Sequence, residues 1–367
     1  MYFCILFINT CFTTWTFCVM KSRKYRIYPN KEQQQLLAQS FGNVRFVYNR
    51  GLSTRQSMYE KWEKCNYYTL TTKLVQLKKD NDWLKISWSQ TLQQSLKNVE
   101  RAYKNFFNKN AKYPRFKNKY AKQSITYPQF TKIVDWNIVI PKMWVIKTKL
   151  HRECLWSIKR MTITKTATWK YYVSITTDYE VGKPTTTGQV WIDVGIKEFA
   201  TLSDWTQIAN PKFLRTSLRR LKKQQRKLSR KKKWSTNRNK QRLKVSILHE
   251  KVSNQRKDFL HKVSTMIANK YHTIVIEDLN VKGMMKNHCL AQAIGDVSWS
   301  AFYTMLYYKA NKVVKVDRFA PSTKTCSNCW SKQSMKLSDR TFHCEVCWYK
   351  EDRDVNAAIN ILAMATD

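Results

Sequence analysis

Cys326-Ser-Asn-Cys329, fourteen residues, Cys344-Glu-Val-Cys347, and then Asp352-Arg-Asp-Val-Asn-Ala-Ala358: this stretch near the C-terminus decides how the rest of the chain is read. Two CxxC knuckles supply four thiolates, the ligand set of a closed tetrahedral Zn²⁺ site. Cys326, Cys329, Cys344 and Cys347 are therefore read as structural zinc ligands, with His343 adjacent but redundant. A pair of disulfides is the alternative, but nothing else in the chain looks secreted. The ribbon runs directly into Asp354, at the start of an Ala/Ile-rich helix over 356–364. A rigid metal-stapled ribbon beside a carboxylate points to a small module packed against an active site.

Working outward, the charge balance is extreme. The 367 residues carry 67 Lys+Arg against 25 Asp+Glu, a net +42, which calls for a polyanionic partner. The charge runs the whole length with aromatic residues interleaved, which favours nucleic acid over an acidic membrane. Charge implies binding but says nothing of cleavage. Cys4, Cys11, Cys18, Cys65, Cys154 and Cys289 are scattered and read as reduced cytosolic thiols. Residues 1–19 are apolar and uncharged, lack the basic n-region of a signal peptide, and are broken by Asn9 and threonines. Met20 is read as the start and 1–19 as a non-native extension, with a membrane anchor as the alternative.

A basic strand over 21–28 leads into a helix opened by Pro29-Asn30-Lys31-Glu32, with an apolar face for it and its successor at Leu36, Leu37, Phe41, Val44, Phe46, Val47 and Tyr48. Leu92, Leu96, Val99, Tyr103, Phe106 and Phe107 mark another amphipathic helix. Residues 20–124 are thus a basic, mainly helical region. Short β runs at 138–140, 161–164 and 171–175 make 125–185 a small antiparallel domain with no catalytic group. From Arg215 to Lys244 half the residues are Lys or Arg, around a leucine stripe at 214, 218, 221 and 228. This is a long helix or a helix pair offering charge to phosphates; a disordered basic arm is the bland alternative. A single helix is expected from Ala291 to Ala310.

Three acids stand out. Asp193 lies in the middle of the apolar strand Val190-Trp-Ile-Asp-Val194, Glu277 ends the strand Thr273-Ile-Val-Ile-Glu277, and Asp354 opens the last helix. A carboxylate on a buried strand is costly unless it meets a cation. Carboxylates from different elements are what a pair of Mg²⁺ ions needs to clamp the attacking and leaving oxygens of a phosphodiester. Asp278 competes with Glu277, and Asp352 with Asp354; Asp354 is preferred because it falls in the first helical turn.

With these residues in place, the chain resembles TnpB, the OrfB-type protein of bacterial insertion sequences. The resemblance rests on Tyr25-Arg-Ile-Tyr-Pro-Asn-Lys31, Ile192-Asp-Val-Gly195, Val275-Ile-Glu-Asp-Leu279, Lys324-Thr-Cys-Ser-Asn-Cys329 and Asp352-Arg-Asp-Val-Asn-Ala-Ala358, and it covers Met20 to Leu362. It implies a multidomain α/β fold: a helical recognition region over 20–124, a β wedge over 125–185, and an RNase H-like (RuvC) nuclease core with a basic helical insert over 186–320. A zinc ribbon over 321–350 and the last RuvC helix over 351–367 complete it. The implied activity is RNA-guided cleavage of double-stranded DNA, with a guide RNA from the transposon end, structural Zn²⁺ and catalytic Mg²⁺ on Asp193, Glu277 and Asp354. Base pairing would read the target sequence while the protein reads shape and a short adjacent motif. A bacterial cytoplasmic, nucleoid-associated protein with no membrane attachment is expected. A transposase or recombinase acting directly in transposition, and a non-catalytic regulator that only binds nucleic acid, are the competing functions.

One departure is systematic. Glycine is scarce, 7 residues, and tryptophan abundant, 14. Trp191, Trp205, Trp330 and Trp348, and with them Trp136, Trp144, Trp156, Trp169 and Trp234, stand where the resemblance calls for glycine. Several fall in turns, as in Ser203-Asp-Trp-Thr206, where positive φ is cheap for glycine and disfavoured for tryptophan. The expectation is that these are UGA codons read as tryptophan in place of glycine. A decaying copy with real tryptophans is the rival. Trp62, Trp83 and Trp299 are read as ordinary tryptophans.

Overall fold

The computed structural model describes residues 18–120, 122–152, 157–180, 186–317, 323–335, 339 and 341–364. The expectations for residues 1–17, for Cys154 and for Trp156 lie outside these. The chain forms two compact units, residues 1–181 and 182–367.

In the N-terminal unit, β1 (Cys18–Tyr28) is followed by α1 (Lys31–Glu60), α2 (Tyr67–Asp80) and α3 (Ser89–Phe107), then by β2 (Gln123–Tyr127), β3 (Lys132–Val134), β4 (Asn137–Ile140), β5 (Trp144–Lys149), β6 (Ile158–Lys165) and β7 (Tyr171–Glu180). A capping box starts α1: Asn30 Oδ1 accepts from the Gln33 N–H at 2.8 Å, and Gln33 Oε1 accepts from the Asn30 N–H at 3.1 Å. Leu37, Phe41 and Val44, at helical spacing, share one core with Tyr25 and Ile27 of β1 and Leu92 and Leu96 of α3. All seven strands form one antiparallel sheet in the order β2-β6-β7-β1-β5-β4-β3. The sequence separated 20–124 from 125–185; here they share a sheet and a core, because β1 inserts between β5 and β7.

The C-terminal unit comprises β8 (Gln189–Asp193), β9 (Glu198–Leu202), β10 (Gln207–Ala209), α4 (Phe213–Ser229), α5 (Thr236–Lys270), β11 (Thr273–Glu277), α6 (Val281–Met284), α7 (Ala291–Val297), α8 (Trp299–Lys309), β12 (Lys312–Val316), β13 (Thr341–His343), β14 (Lys350–Asp352) and α9 (Arg353–Met364). Its main sheet runs β10-β9-β8-β11-β12, with β8, β11 and β12 parallel and β9 and β10 antiparallel. This mixed five-stranded sheet with flanking helices is the RNase H-like α/β arrangement. Alternate residues Val190, Ile192, Ile274 and Ile276 are fully buried with Phe199, Ile267, Phe302 and Leu306. The expected helix over 291–310 is broken at Ser298, which takes φ 61°.

The basic segment is a helix pair. Leu221 of α4 and Val245 of α5 are buried between them, and Gln241 Nε2 donates to the Gln224 carbonyl at 3.0 Å and to its side chain at 2.7 Å. Arg238 closes the turn by donating to the Leu228 and Lys231 carbonyls. No described helix is long and apolar enough to cross a membrane.

Tryptophan occupies an unusual share of left-handed backbone. Of the fourteen described non-glycine residues at positive φ, eight are Trp62, Trp136, Trp144, Trp169, Trp205, Trp234, Trp330 and Trp348, with φ between 55° and 69°. Trp62, expected to be ordinary, terminates α1: its N–H donates to the Tyr59 carbonyl while Glu63 N–H donates to Met58 O, the hydrogen-bond pair that ends a helix on glycine. Trp191, expected as a glycine position within a buried strand, lies in β8 and is 5% exposed. Left-handed backbone costs an L-residue roughly 1–2 kcal/mol, so eight such sites amount to about the whole net stability of a domain.

Asp296 fixes where α4 begins. Both its oxygens accept from the Leu214 N–H, at 3.1 and 3.0 Å, and Oδ1 pairs with Arg256 of α5 at 2.8 Å with the carboxylate side chain 9% exposed. Asp296→Ala leaves the guanidinium and a helix N–H unmatched and is expected to cost about 3 kcal/mol. Urea unfolding of the variant against its parent measures it.

Candidate active site and zinc knuckles

β8 and β11 pair in parallel with Ile192 opposite Ile276. The next residue on each is Asp193 and Glu277, so two carboxylates emerge side by side at the C-terminal ends of neighbouring parallel strands. That edge is where ligands bind in open α/β sheets. Both residues are half-buried. Asp193 is the last residue of β8 and not its middle, because the chain turns there toward β9. The turn needs Gly195: a Cβ at that position would lie 2.9 Å from the Glu198 carbonyl oxygen.

The third acid comes from α9, which packs against β8. Asp354 falls in its first turn; its side chain lies outside the described residues. The rival acids have other partners. Asp278 pairs with Lys315 of β12. Asp352 Oδ1 accepts from the Val355 N–H at 3.4 Å, at the start of α9.

Tyr303 of α8 was not singled out by the sequence. It is 8% exposed, and its hydroxyl has no hydrogen-bond partner. Burial first, and then the charges of Glu277, Asp193 and Asp278, hold its proton on well above the usual phenol range. The hydroxyl therefore lies within electrostatic reach of both strand acids.

The four cysteines converge. Their sulfurs all lie within 4.8 Å of one another, with Cys326–Cys347 and Cys329–Cys344 at 3.6 Å. Tetrahedral zinc with bonds near 2.3 Å separates its sulfurs by about 3.8 Å, so the donor set fits. The surroundings favour thiolates: Asn328 N–H donates to Cys326 Sγ at 3.4 Å and Cys347 N–H to Cys344 Sγ at 3.5 Å. Hydrogen bonds from Ser331 and the Cys347 backbone pull the Cys344 thiol down to about 6, whereas burial pushes Cys326 up to about 11. Phe342, fully buried, packs behind the knuckles.

Two buried asparagines tie this ribbon to α9. Asn356 Oδ1 accepts from the Ser327 N–H at 2.8 Å, and Asn356 and Asn360 both donate to the Thr325 carbonyl, at 2.7 and 2.6 Å. Their spacing of four places them on one face of α9. Two asparagines on the inward face of an Ala/Ile helix were the available signal, because polar groups buried there must find partners.

A mixed five-stranded RNase H-like sheet, acids at adjacent strand ends and a four-cysteine ribbon locked to the last helix define a RuvC-type nuclease architecture. Family models match in three segments: a helix-turn-helix domain over residues 19–64, the OrfB (IS605) probable transposase over 172–288, and a Cas12f1-like TNB domain over 299–361. A Streptomyces pristinaespiralis protein named as an RNA-guided DNA endonuclease is 37% identical over 94% of this chain and 89% of its own length. InsQ of Escherichia coli K12, named likewise, is 35% identical over 94% and 92%. The chain belongs to this OrfB/TnpB family. Its fold is shared with Cas12f1 in a complex with sgRNA and target DNA (TM-score 0.55, 12% identity, 94% of this chain and 98% of that one) and with the mini-endonuclease Cas-phi3 (0.53, 9%, 95% and 93%).

Asn356→Ala is expected to leave Ser327 N–H without its acceptor, to remove one donor to Thr325, and to cost about 2 kcal/mol. The variant should surrender zinc to a chelator faster than the parent, followed by a colorimetric zinc assay.

Proposed function

We propose that this chain is an RNA-guided DNA endonuclease whose cleavage site is Asp193, Glu277 and Asp354. The observation that carries the reading is the parallel register that sets Asp193 beside Glu277 at one sheet edge, with the helix bearing Asp354 packed on β8. The three carboxylates would hold Mg²⁺, which in a two-ion site polarises the phosphate and activates water. The residues' own task is positional: β8 and β11 fix two acids, and the ribbon, through Asn356 and Asn360, fixes the helix carrying the third. Cys326, Cys329, Cys344 and Cys347 would hold Zn²⁺.

Relatives named as RNA-guided endonucleases support RNA and DNA as partners. A guide transcribed from the transposon end, and residence at the bacterial nucleoid, belong to the same proposal; the net +42 charge favours nucleic-acid binding in general. The exposed Arg219, Lys222, Lys223 and Arg226 of α4 would meet phosphates.

Asp193→Ala should lose about 10³-fold or more of metal-dependent cleavage, the scale of several kcal/mol of lost stabilisation, while keeping its RNA. Purification with co-expressed flanking transposon RNA, sequencing of the bound RNA and a plasmid-cleavage assay test this. Full cleavage by the variant, or a parent that binds RNA but never cuts, would sink it. Alanine at the four α4 cations should reduce the slope of log affinity against log salt by up to about 4, measured by fluorescence anisotropy.

A further inference from the structure

We infer that Trp62, Trp136, Trp144, Trp169, Trp205, Trp234, Trp330 and Trp348 occupy glycine positions. In the natural protein each is glycine, encoded by a UGA codon that the source organism reads as glycine. The inference rests on backbone geometry. Among the described residues, glycine holds one left-handed position, Gly188, and tryptophan eight. Six of the eight sit in turns closed by backbone hydrogen bonds or strand pairing. Trp62 ends α1 in the helix-terminating motif described above. Asp135 and Trp136, with φ 45° and 62°, form the two-residue turn between paired Val134 and Asn137, the geometry favoured by Asp-Gly. Trp169 and Trp205 sit in matching hairpin ends: Trp169 N–H donates to Thr166 O and Thr166 N–H to Lys170 O, and Trp205 N–H donates to Leu202 O and Leu202 N–H to Thr206 O. Trp330 and Trp348 repeat one another behind the two knuckles, donating to Cys326 O at 2.9 Å and Cys344 O at 3.1 Å. Trp144 follows the tight β4–β5 turn, and Trp234 lies between α4 and α5.

The indoles gain little burial, and the ring contacts of Trp62 with Tyr59, Trp169 with Lys165 and Trp348 with His343 lie at the surface. All eight are more than half exposed, from 51% at Trp330 to 92% at Trp62, whereas Trp191 and Trp299 are 5% and 2% exposed and Trp83 is 42%. Exposure and φ thus sort the described tryptophans into the same two groups. Mutational decay would scatter residue types over such positions. A single reassigned codon explains why one residue type fills eight of the fourteen non-glycine positions at positive φ and why glycine numbers only 7.

Two measurements test this. The gene should carry UGA at the eight positions and UGG at 83, 88 and 299; UGG at the eight overturns the inference. The full chain with glycine at all eight should melt at least ~10 °C above the chain with tryptophan and retain zinc more fully, while Trp299→Gly lowers the midpoint. An eight-glycine chain no more stable than the tryptophan chain also overturns it.

Discussion

The parallel pairing of β8 with β11 is the constraint on which the rest of the C-terminal unit depends. It sets two carboxylates on adjacent strands, about 5 Å apart, where they repel. At an effective dielectric near 20 the repulsion is about 3 kcal/mol. What overrides it is apolar. Val190, Ile192, Ile274 and Ile276 on one face of the two strands, and Trp191 and Val275 on the face of the acids, are buried, and each such side chain contributes roughly 1.5–3 kcal/mol by leaving water. The strands are held in register by their hydrophobic residues, and the acids are carried along. A cation bound between them would relieve a repulsion that the fold has already imposed.

The ribbon extends the same logic to the last helix. A loop stapled by a metal on its four cysteines would be rigid only locally. Its stiffness reaches α9 because Asn356 and Asn360 close their hydrogen bonds on Thr325 and Ser327, immediately before and after Cys326. The basic hairpin solves a different problem. With 67 cations against 25 acids, few of its charges have intramolecular partners to find. Its seam is therefore neutral, built from Leu221, Val245 and the Gln224–Gln241 pair, leaving cations such as Arg219 and Lys223 facing solvent.

Much of the candidate site was legible in the sequence for local reasons. Cysteine spacing, an acid after an apolar run and an acid opening a helix are signals within a few residues. What escaped was non-local or depended on phase. The partner of β1 is β7, some 150 residues away, and nothing in the basic strand names it, so one sheet was read as two regions. The break at Ser298 is a single residue at φ 61° inside a helical apolar pattern. Tyr303 looked like one more aromatic on a core helix, and only the fold shows its hydroxyl buried without a hydrogen-bond partner.

The tryptophans show information passing the other way, from backbone to residue identity. A left-handed φ is not chosen by the side chain that bears it when hydrogen bonds on both sides fix the turn. At Trp205 the pairing of β9 with β10 sets the hairpin end, with Ile208 opposite Ala200. At Trp330 and Trp348 the chain must return within a few residues of each CxxC so that all four sulfurs converge. An indole there gains no burial to offset the strain. A chain carrying eight such penalties, each about 1–2 kcal/mol, would spend a stability no larger than 5–15 kcal/mol on them alone. Glycine removes the conflict at every one of these positions without moving an atom of the surrounding backbone.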